Sequence, residues 1–414
     1  MGESEHVRLK IVLISHYFVP EIGAPSARLY EMAREWVQSG HSVSVVTCFP
    51  NHPTGIIDEE YRGMHFLEEE INGIRVLRNF VYATPNKGFF RKTLSHVSFM
   101  ISSVLLSLRK TKRADVVIVS SPTFFSVISA WFFSRINKIP FIFEVRDLWP
   151  AIFVDLNIIT NKWVIKFLEL IEMYLYQSSV HIVVVTQAFK KNLVSRGIQP
   201  EKLSVITNGA DVDFFSTCED HKYVKEKYEL DGKFVVLYIG AHGISQGLST
   251  IIEAADEIRD HKGIHFLFVG EGADKESLIN KAQSRNLQNV TFVDGVSKDQ
   301  IPYFYHGSDV CLVPLRNVPL FKEFIPSKMF EIMASSKPII ASVNGESADI
   351  LQSSGAAVVT SPEDVLAISQ AILCLSKDAE LCKKMGDSGR KFVEEHYSRS
   401  KLAQDYINVI DSVT

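Results

Sequence analysis

The sequence predicts an α/β protein built as two doubly wound parallel sheets. Three observations carry this. The chain has 414 residues, too many for one ordinary core and suited to about two domains. In each half, apolar runs of strand length alternate with helix-period stretches, the pattern of layered β/α units. Between the halves, Ile206–Phe215 (ITNGADVDFF) carries an Asn-Gly turn signal.

Composition narrows the class further. Hydrophobic residues make up 46% of the chain, enough for large cores. A net charge of -4 argues against a general nucleic-acid binder. The five cysteines (Cys48, Cys218, Cys311, Cys374, Cys382) form no CxxC pair and no Cys/His cluster, so they fit a reducing compartment better than a disulfide framework. The opening MGESEHVRLK lacks the apolar core of a signal peptide, and the expectation is a cytoplasmic protein.

In chain order, Leu9–Ser15 is a continuous apolar run and reads as a strand buried on both faces. A loop, a helical stretch and a second strand (HSVSVVT) complete a βαβ unit. Gly23 lies in the loop, Pro25 can open the helix and Gly40 can close it. His16 falls at the carboxyl end of the first strand, where ligands bind in open α/β sheets; it reads equally as a plain loop histidine. Strands follow at Asp115–Val119, Pro140–Val145 and Val180–Val185. The fourth of these five strands lies in IPFIFEVRDLWP and ends abruptly in Glu144, Arg146 and Asp147, charges placed where site residues occur. The alternative is an Arg–Asp pair that locks a loop.

Residues Asn86–Arg113 differ in character. Lys87, Arg91 and Lys92 precede an apolar stretch interrupted by Ser95, Ser98, Ser102 and Ser103, and Arg109, Lys110, Lys112 and Arg113 follow it. It is too short to span a bilayer, which needs about 20 apolar residues. Two readings stay open: a core helix with basic ends, or a basic helix resting on an anionic membrane, with Phe89 and Phe90 adding apolar insertion.

The second half repeats the alternation: FVVLYIG, a loop and helix, HFLFVGEG, a helix near Lys275–Arg285, NVTFVDG, a helix near Lys298–His306, DVCLVPL, then FKEFIPSKMFEIMASSKP, KPIIAS and AAVV. In FKEFIPSKMFEIMASSKP, seven residues separate Glu323 from Glu331. Pro326 predicts a helix from about Pro326 to about Ser335. Such a helix would aim free N–H groups at a phosphate, with Lys328 adding positive charge, and carboxylates suit paired sugar hydroxyls. The tail Phe392–Asp411 is amphipathic, with Tyr397, Leu402, Tyr406 and Ile410 on one face.

These motifs, in this order, resemble the EX7E glycosyltransferases of family 4, including transferases of bacterial surface-polysaccharide and O-antigen assembly. The resemblance implies the GT-B fold, two Rossmann-like domains with a cleft between them and a C-terminal helix crossing back. The domains would be 1–207 with 396–414 crossing back, for the acceptor, and 208–395 for the nucleotide-sugar. It implies a retaining, metal-independent transfer from a UDP-linked donor, with no cofactor, to a lipid-linked saccharide at the inner face of the plasma membrane. The sugar expected is an N-acetylhexosamine or a 6-deoxy relative.

By the same resemblance Glu331 would hold the ribose, and Glu323 the donor sugar together with Phe324, Ile325 and Pro326. Gly23, Gly243, Gln246 and Lys328 would surround the diphosphate, and Val296 the base. Arg146 and Asp147 would face the reacting sugar or the acceptor, with His16 and Glu144 nearby. One departure stands out. The family's GR…KG loop here is Gly240-Ala-His-Gly-Ile-Ser-Gln-Gly247, with Ala241 and Gln246 in place of the two cations. Lys328, with Arg316 or Lys322, must then balance the diphosphate. The linker also contains Asp211-Val-Asp213, formally a metal-binding DxD, but it sits at a hinge and is read as no metal site. Two alternatives remain: an isomerase resembling UDP-N-acetylglucosamine 2-epimerase, or a non-catalytic GT-B binding subunit.

Overall fold

The structure, a computed structural model, describes residues 8–21, 23–52, 54–84, 89–121, 123–150, 159–217 and 220–414. Lys87 and Cys218 lie outside these, as do the side chains of Phe89 and Phe90. The chain divides into two units. The first runs to Thr207 and takes back Leu402–Thr414; the second is Asn208–Lys401.

The first unit holds eight strands: β1 (Lys10–Ile14), β2 (Ser42–Cys48), β3 (Phe66–Ile71), β4 (Ile74–Asn79), β5 (Val116–Ser120), β6 (Phe141–Val145), β7 (His181–Val184) and β8 (Leu203–Val205). Their order is β3-β4-β2-β1-β5-β6-β7-β8, and only β3 runs antiparallel. Strand order reverses at β1 and β5, the switch point where open α/β sheets bind ligands. The continuous apolar run of β1 has a direct cause. Val12 and Ile14 enter the core on one face of the sheet, and Ile11 and Leu13 enter the core on the other. Each buried side chain of this kind contributes about 1.5–3 kcal/mol.

The β3–β4 hairpin was not among the expected elements. Its signal was local: Asn72 (φ 49) and Gly73 (φ 78) form a two-residue turn that needs positive φ twice. Glu68, Glu69 and Glu70 on β3 keep this edge charged, and Glu68 pairs with Arg75 at 2.7 Å.

Helices Phe89–Ser107, Phe124–Asn137 and Lys162–Ser178 cover one face of this sheet, and Ala24–Gln38 covers the other. The terminal helix Arg399–Asp411 joins Ala24–Gln38. It buries Leu402, Ala403, Tyr406, Ile407 and Ile410, and the Trp36 indole N–H donates to the Ala403 carbonyl at 3.0 Å. The amphipathic tail is two helices rather than one. The first ends at His396, and Tyr397 stays in the second unit against Phe330, with ring centroids 4.7 Å apart. Among the described residues no helix is long and apolar enough to cross a membrane.

The second unit holds β9 (Phe234–Ile239), β10 (Ile264–Val269), β11 (Val290–Val293), β12 (Val310–Pro314), β13 (Ile339–Ser342) and β14 (Ala357–Thr360). The order is β11-β10-β9-β12-β13-β14, all parallel, with the switch point at β9 and β12. Residues alternate between two cores here too: Val235, Leu237 and Ile239 in one, Val236 and Tyr238 in the other.

Candidate functional site

The second unit gathers its site at the carboxyl ends of β9, β10 and β12. Three glycines make the room. Gly240 (φ 139) follows β9 and Gly270 (φ 140) follows β10; a Cβ on Gly270 would lie 1.9 Å from the Gly240 carbonyl oxygen. A Cβ on Gly272 would lie 2.3 Å from the His242 carbonyl oxygen. The VGEG turn and the Gly240 loop therefore pack backbone to backbone. The His242 N–H donates to the Glu271 carbonyl at 2.8 Å, and the Asp274 N–H to the His242 carbonyl at 2.9 Å.

Lys328 reaches into this place. Its Nζ donates to the Ile239 carbonyl at 2.9 Å and stands 4.0 Å from the centre of the Tyr238 ring. A Cβ on Gly240 would meet it at 2.6 Å. Burial lowers its pKa from 10.5 to about 8, while Glu331 pulls the other way. Glu331 lies one turn further along the same helix and accepts a hydrogen bond from the buried Tyr305 hydroxyl at 3.0 Å. The helix runs Lys328–Ala334, two residues later than Pro326 suggested. Pro326 and Ser327 instead form the turn before it, their carbonyls accepting from Met329 and Phe330. Glu323 closes a short 3₁₀ turn, Pro319–Glu323, and its carboxylate has no hydrogen-bond or ionic partner among the described residues.

Other expected contacts fall as follows. Gln246 folds back over its own loop: Ser245 Oγ donates to Gln246 Oε1 at 3.0 Å, and a Cβ on Gly243 would lie 2.9 Å from that oxygen. Arg316 joins the loop through its N–H, which donates to the Ser245 carbonyl at 3.0 Å, and its guanidinium lies 3.6 Å from Glu363. Phe324 is held by Ser347, whose hydroxyl donates to its carbonyl at 2.5 Å. Val296, past β11, is half-buried against the core. The Ile325 side chain is buried in the core beneath the site, because an apolar side chain beside Met329 gains more from packing than from a polar ligand, so a donor contact here falls to its backbone N–H. His242 is buried among Tyr238, Phe268 and Phe292. Burial lowers its pKa to about 4, with Lys275 and Lys328 adding to the effect, so the ring is neutral at pH 7.

In the first unit, His16 follows β1 and is buried, its ring 4.4 Å from that of His96. Burial, then His96, Lys92 and His52, hold it well below the ordinary histidine range. Arg146 and Asp147 follow β6, their N–H groups donating to Ser121 Oγ at 2.8 and 3.4 Å. Burial raises the Asp147 carboxyl, and the Arg146 charge offsets this in part. Gly23 is exposed ahead of helix Ala24–Gln38 and its carbonyl accepts from the Ala27 N–H. Glu144 is not a site carboxylate. It is buried and paired with Arg28, Nε to Oε1 at 2.9 Å, and Arg28 also donates to the carbonyls of Ile206 (2.9 Å) and Thr207 (2.5 Å). The pair ties a helix, a strand and the exit of the unit together.

Asp211 of the DxD sequence caps helix Val212–Ser216, accepting from the Phe214 N–H at 3.1 Å. Among the described residues no group of three His, Cys, Asp or Glu side chains is arranged to hold a metal ion. Tyr238, Tyr305 and Ser347 were missed from sequence. Each acts through a residue far away in the chain, which no local spacing reports. Gly270 and Gly272 were visible as VGEG, although their role in admitting the Gly240 loop was not.

Comparison with known proteins identifies the family and the fold. The model "Glycosyl transferase 4-like domain" matches residues 23–209, and "Glycosyl transferases group 1" matches residues 220–392. The chain is 25% identical over 413 residues to a putative colanic acid biosynthesis glycosyl transferase, WcaI, of Escherichia coli, covering 97% of this chain and all of that one. It is 24% identical over 258 residues to a 2-deoxystreptamine N-acetyl-D-glucosaminyltransferase of Niallia circulans, covering 61% and 65%. Among solved structures, sucrose-phosphate synthase of Thermosynechococcus elongatus superimposes with a TM-score of 0.76 at 18% identity, over 98% and 99% of the two chains. HepE of Anabaena, in complex with UDP-glucose, does so with a TM-score of 0.72 at 14% identity, over 98% and 100%. The chain is a GT-B glycosyltransferase of family 4.

Proposed function

We propose that the protein transfers a sugar, with retention, from a UDP-linked donor to a lipid-linked saccharide during assembly of a bacterial surface polysaccharide. The observation that carries the donor half is Lys328: a cation enclosed beside the glycine turns at the switch point, one helical turn before Glu331. A diphosphate supplies an anionic hydrogen-bond partner to an ammonium that the protein meets with a carbonyl and a ring, and Glu331 suits the ribose hydroxyls. Arg316, tied by its backbone to the Gly243–Gly247 loop, is the second cation where the family has its loop Arg and Lys. Glu323, with no protein partner among the described residues, takes the sugar hydroxyls. Solved complexes of HepE with UDP and with UDP-glucose support a UDP-linked donor, and the name of WcaI supports a polysaccharide product. An N-acetylhexosamine or a 6-deoxy relative is the proposed sugar.

In this reading the bond between the anomeric carbon and the β-phosphate oxygen breaks, and the acceptor oxygen bonds to the same face. The acceptor proton passes to the leaving phosphate. Stabilising the leaving diphosphate is then the main catalytic contribution, made by Lys328, Arg316 and backbone N–H groups. Arg146 and Asp147 of the first unit orient the acceptor.

The test is incubation with a panel of UDP-sugars, with and without a polyprenyl-diphosphate-linked saccharide, in the presence of EDTA. A transferase releases UDP only with acceptor and enlarges the lipid, and it does so without added metal. Interconversion of sugars without acceptor would mean an isomerase. Binding of UDP with no turnover would mean a non-catalytic subunit.

A further inference from the structure

Three helices on one face of the first unit bury apolar side chains against the sheet and also carry large apolar side chains on their outer side. In Phe89–Ser107, Ser95, Ser102, Ser103 and Ser107 are buried, and the hydroxyls of Ser102, Ser103 and Ser107 are spent on backbone carbonyls or on neighbours such as Ser129 (3.1 Å from Ser103). Leu94, Ile101 and Leu105, spaced along one helical face, point outward, and Leu105 is 74% exposed. Helix Phe124–Asn137 packs beside it, with Ser126 and Ser129 buried and Ile136 exposed. In Lys162–Ser178, Glu172 is buried and ion-paired with Arg196, while Trp163 (82% exposed), Phe167 (62%) and Leu170 (63%) face outward. Ten of the eighteen exposed large apolar side chains among the described residues lie on these three helices, so the exposure is concentrated, not scattered. A helix whose outer side meets only water keeps that side polar.

Charge identifies the occupant. Arg91, Lys92, Arg135, Lys162 and Lys166 are exposed on the three helices, against one exposed acid on them among the described residues, Glu169, in a chain of net charge -4. We infer that this three-helix face is the membrane-docking surface, with Trp163, Phe167 and Leu170 inserted among the acyl chains of an anionic bilayer and the basic side chains at the headgroups. The inference rests on the lipid-linked acceptor proposed above and gives it a place: the first unit lies on the bilayer that holds the acceptor. It moves the main contact from the segment Asn86–Arg113 to the helix Lys162–Ser178.

The experiment is flotation of the full chain with vesicles of phosphatidylglycerol and phosphatidylethanolamine, combined with quenching of tryptophan fluorescence by bromine-labelled lipid. The wild type is expected to float at low salt and to show quenching that Trp163→Phe removes. Phe167→Ser with Leu170→Ser should lower vesicle affinity at least tenfold with an unchanged Tm, while Leu366→Ser, on an exposed face of the second unit, should leave it unchanged. Wild-type protein that ignores these vesicles would overturn the inference, as would equal binding by the double variant. So would a solution dimer that the double variant dissociates, since a second copy would then own this face. Calorimetry with UDP on the same samples separates the two readings. Intact UDP binding without flotation removes the docking surface alone; flotation without UDP binding removes the transferase reading alone.

Discussion

Replacement of Lys328 by methionine tests the donor site most directly. The displacement of its pKa from 10.5 to about 8 means that burial disfavours the ammonium by about 3 kcal/mol. In the unfolded chain the lysine keeps its proton up to about 10.5. The cost is therefore felt in full below pH 8 and fades between 8 and 10.5, so stability of the ligand-free protein should rise with pH across that window. A diphosphate reverses the balance: it pairs the charge and raises the pKa, so UDP binding takes up a proton and weakens as pH climbs through 8. Loss of one charge-assisted hydrogen bond costs about 1.5–3 kcal/mol, or roughly 10- to 150-fold in Kd. Lys328→Met should show that loss at pH 7 by calorimetry, lose the pH dependence and the proton uptake, and melt no lower than the wild type. A methionine variant that binds UDP within twofold of the wild type at pH 7 would refute the reasoning, as would a wild-type Kd that stays flat from pH 7 to 9.5.

Glu331→Ala should weaken UDP binding by about 1–3 kcal/mol, while Glu323→Gln should cut turnover and leave UDP binding intact; equal losses in calorimetry would end that division of roles. Gly270→Ala must move a backbone carbonyl that its Cβ would meet at 1.9 Å, which should cost about 2–4 kcal/mol and lower Tm by several degrees; a wild-type melting curve would contradict the backbone packing described. Glu144→Ala leaves Arg28 buried without its carboxylate and should lose about 3–5 kcal/mol in denaturant unfolding. Unchanged stability with reduced transfer would restore Glu144 to the site.

Much of the architecture was legible because parallel strands buried on both faces produce continuous apolar runs. Every strand of the second unit was located that way, and the antiparallel β3–β4 hairpin escaped because its alternating EEE-containing edge strand looks like a solvated loop. In the site, the Glu323–Glu331 spacing and the VGEG turn could be read directly, since they depend on neighbours along the chain. Glu144 could not. A carboxylate at a strand end reads the same whether it meets a ligand or Arg28, 116 residues away, and only packing brings the guanidinium there.

The same limit separates periodicity from orientation. The sequence determined that Ser95 and Ser102 share one side of a helix and that Leu94 and Ile101 share another, about 100° away, because 3.6 residues per turn is a property of the backbone. Which face turns inward depends on what waits on the other side. Here the neighbouring helix offers Ser129 and the strand ends offer carbonyls, so hydroxyls are satisfied inside and leucines are left outside. The cation at Lys328 follows the same rule. Its charge is written in the sequence, but its enclosure beside Tyr238 and Gly240, 88 to 90 residues earlier, is a product of the fold.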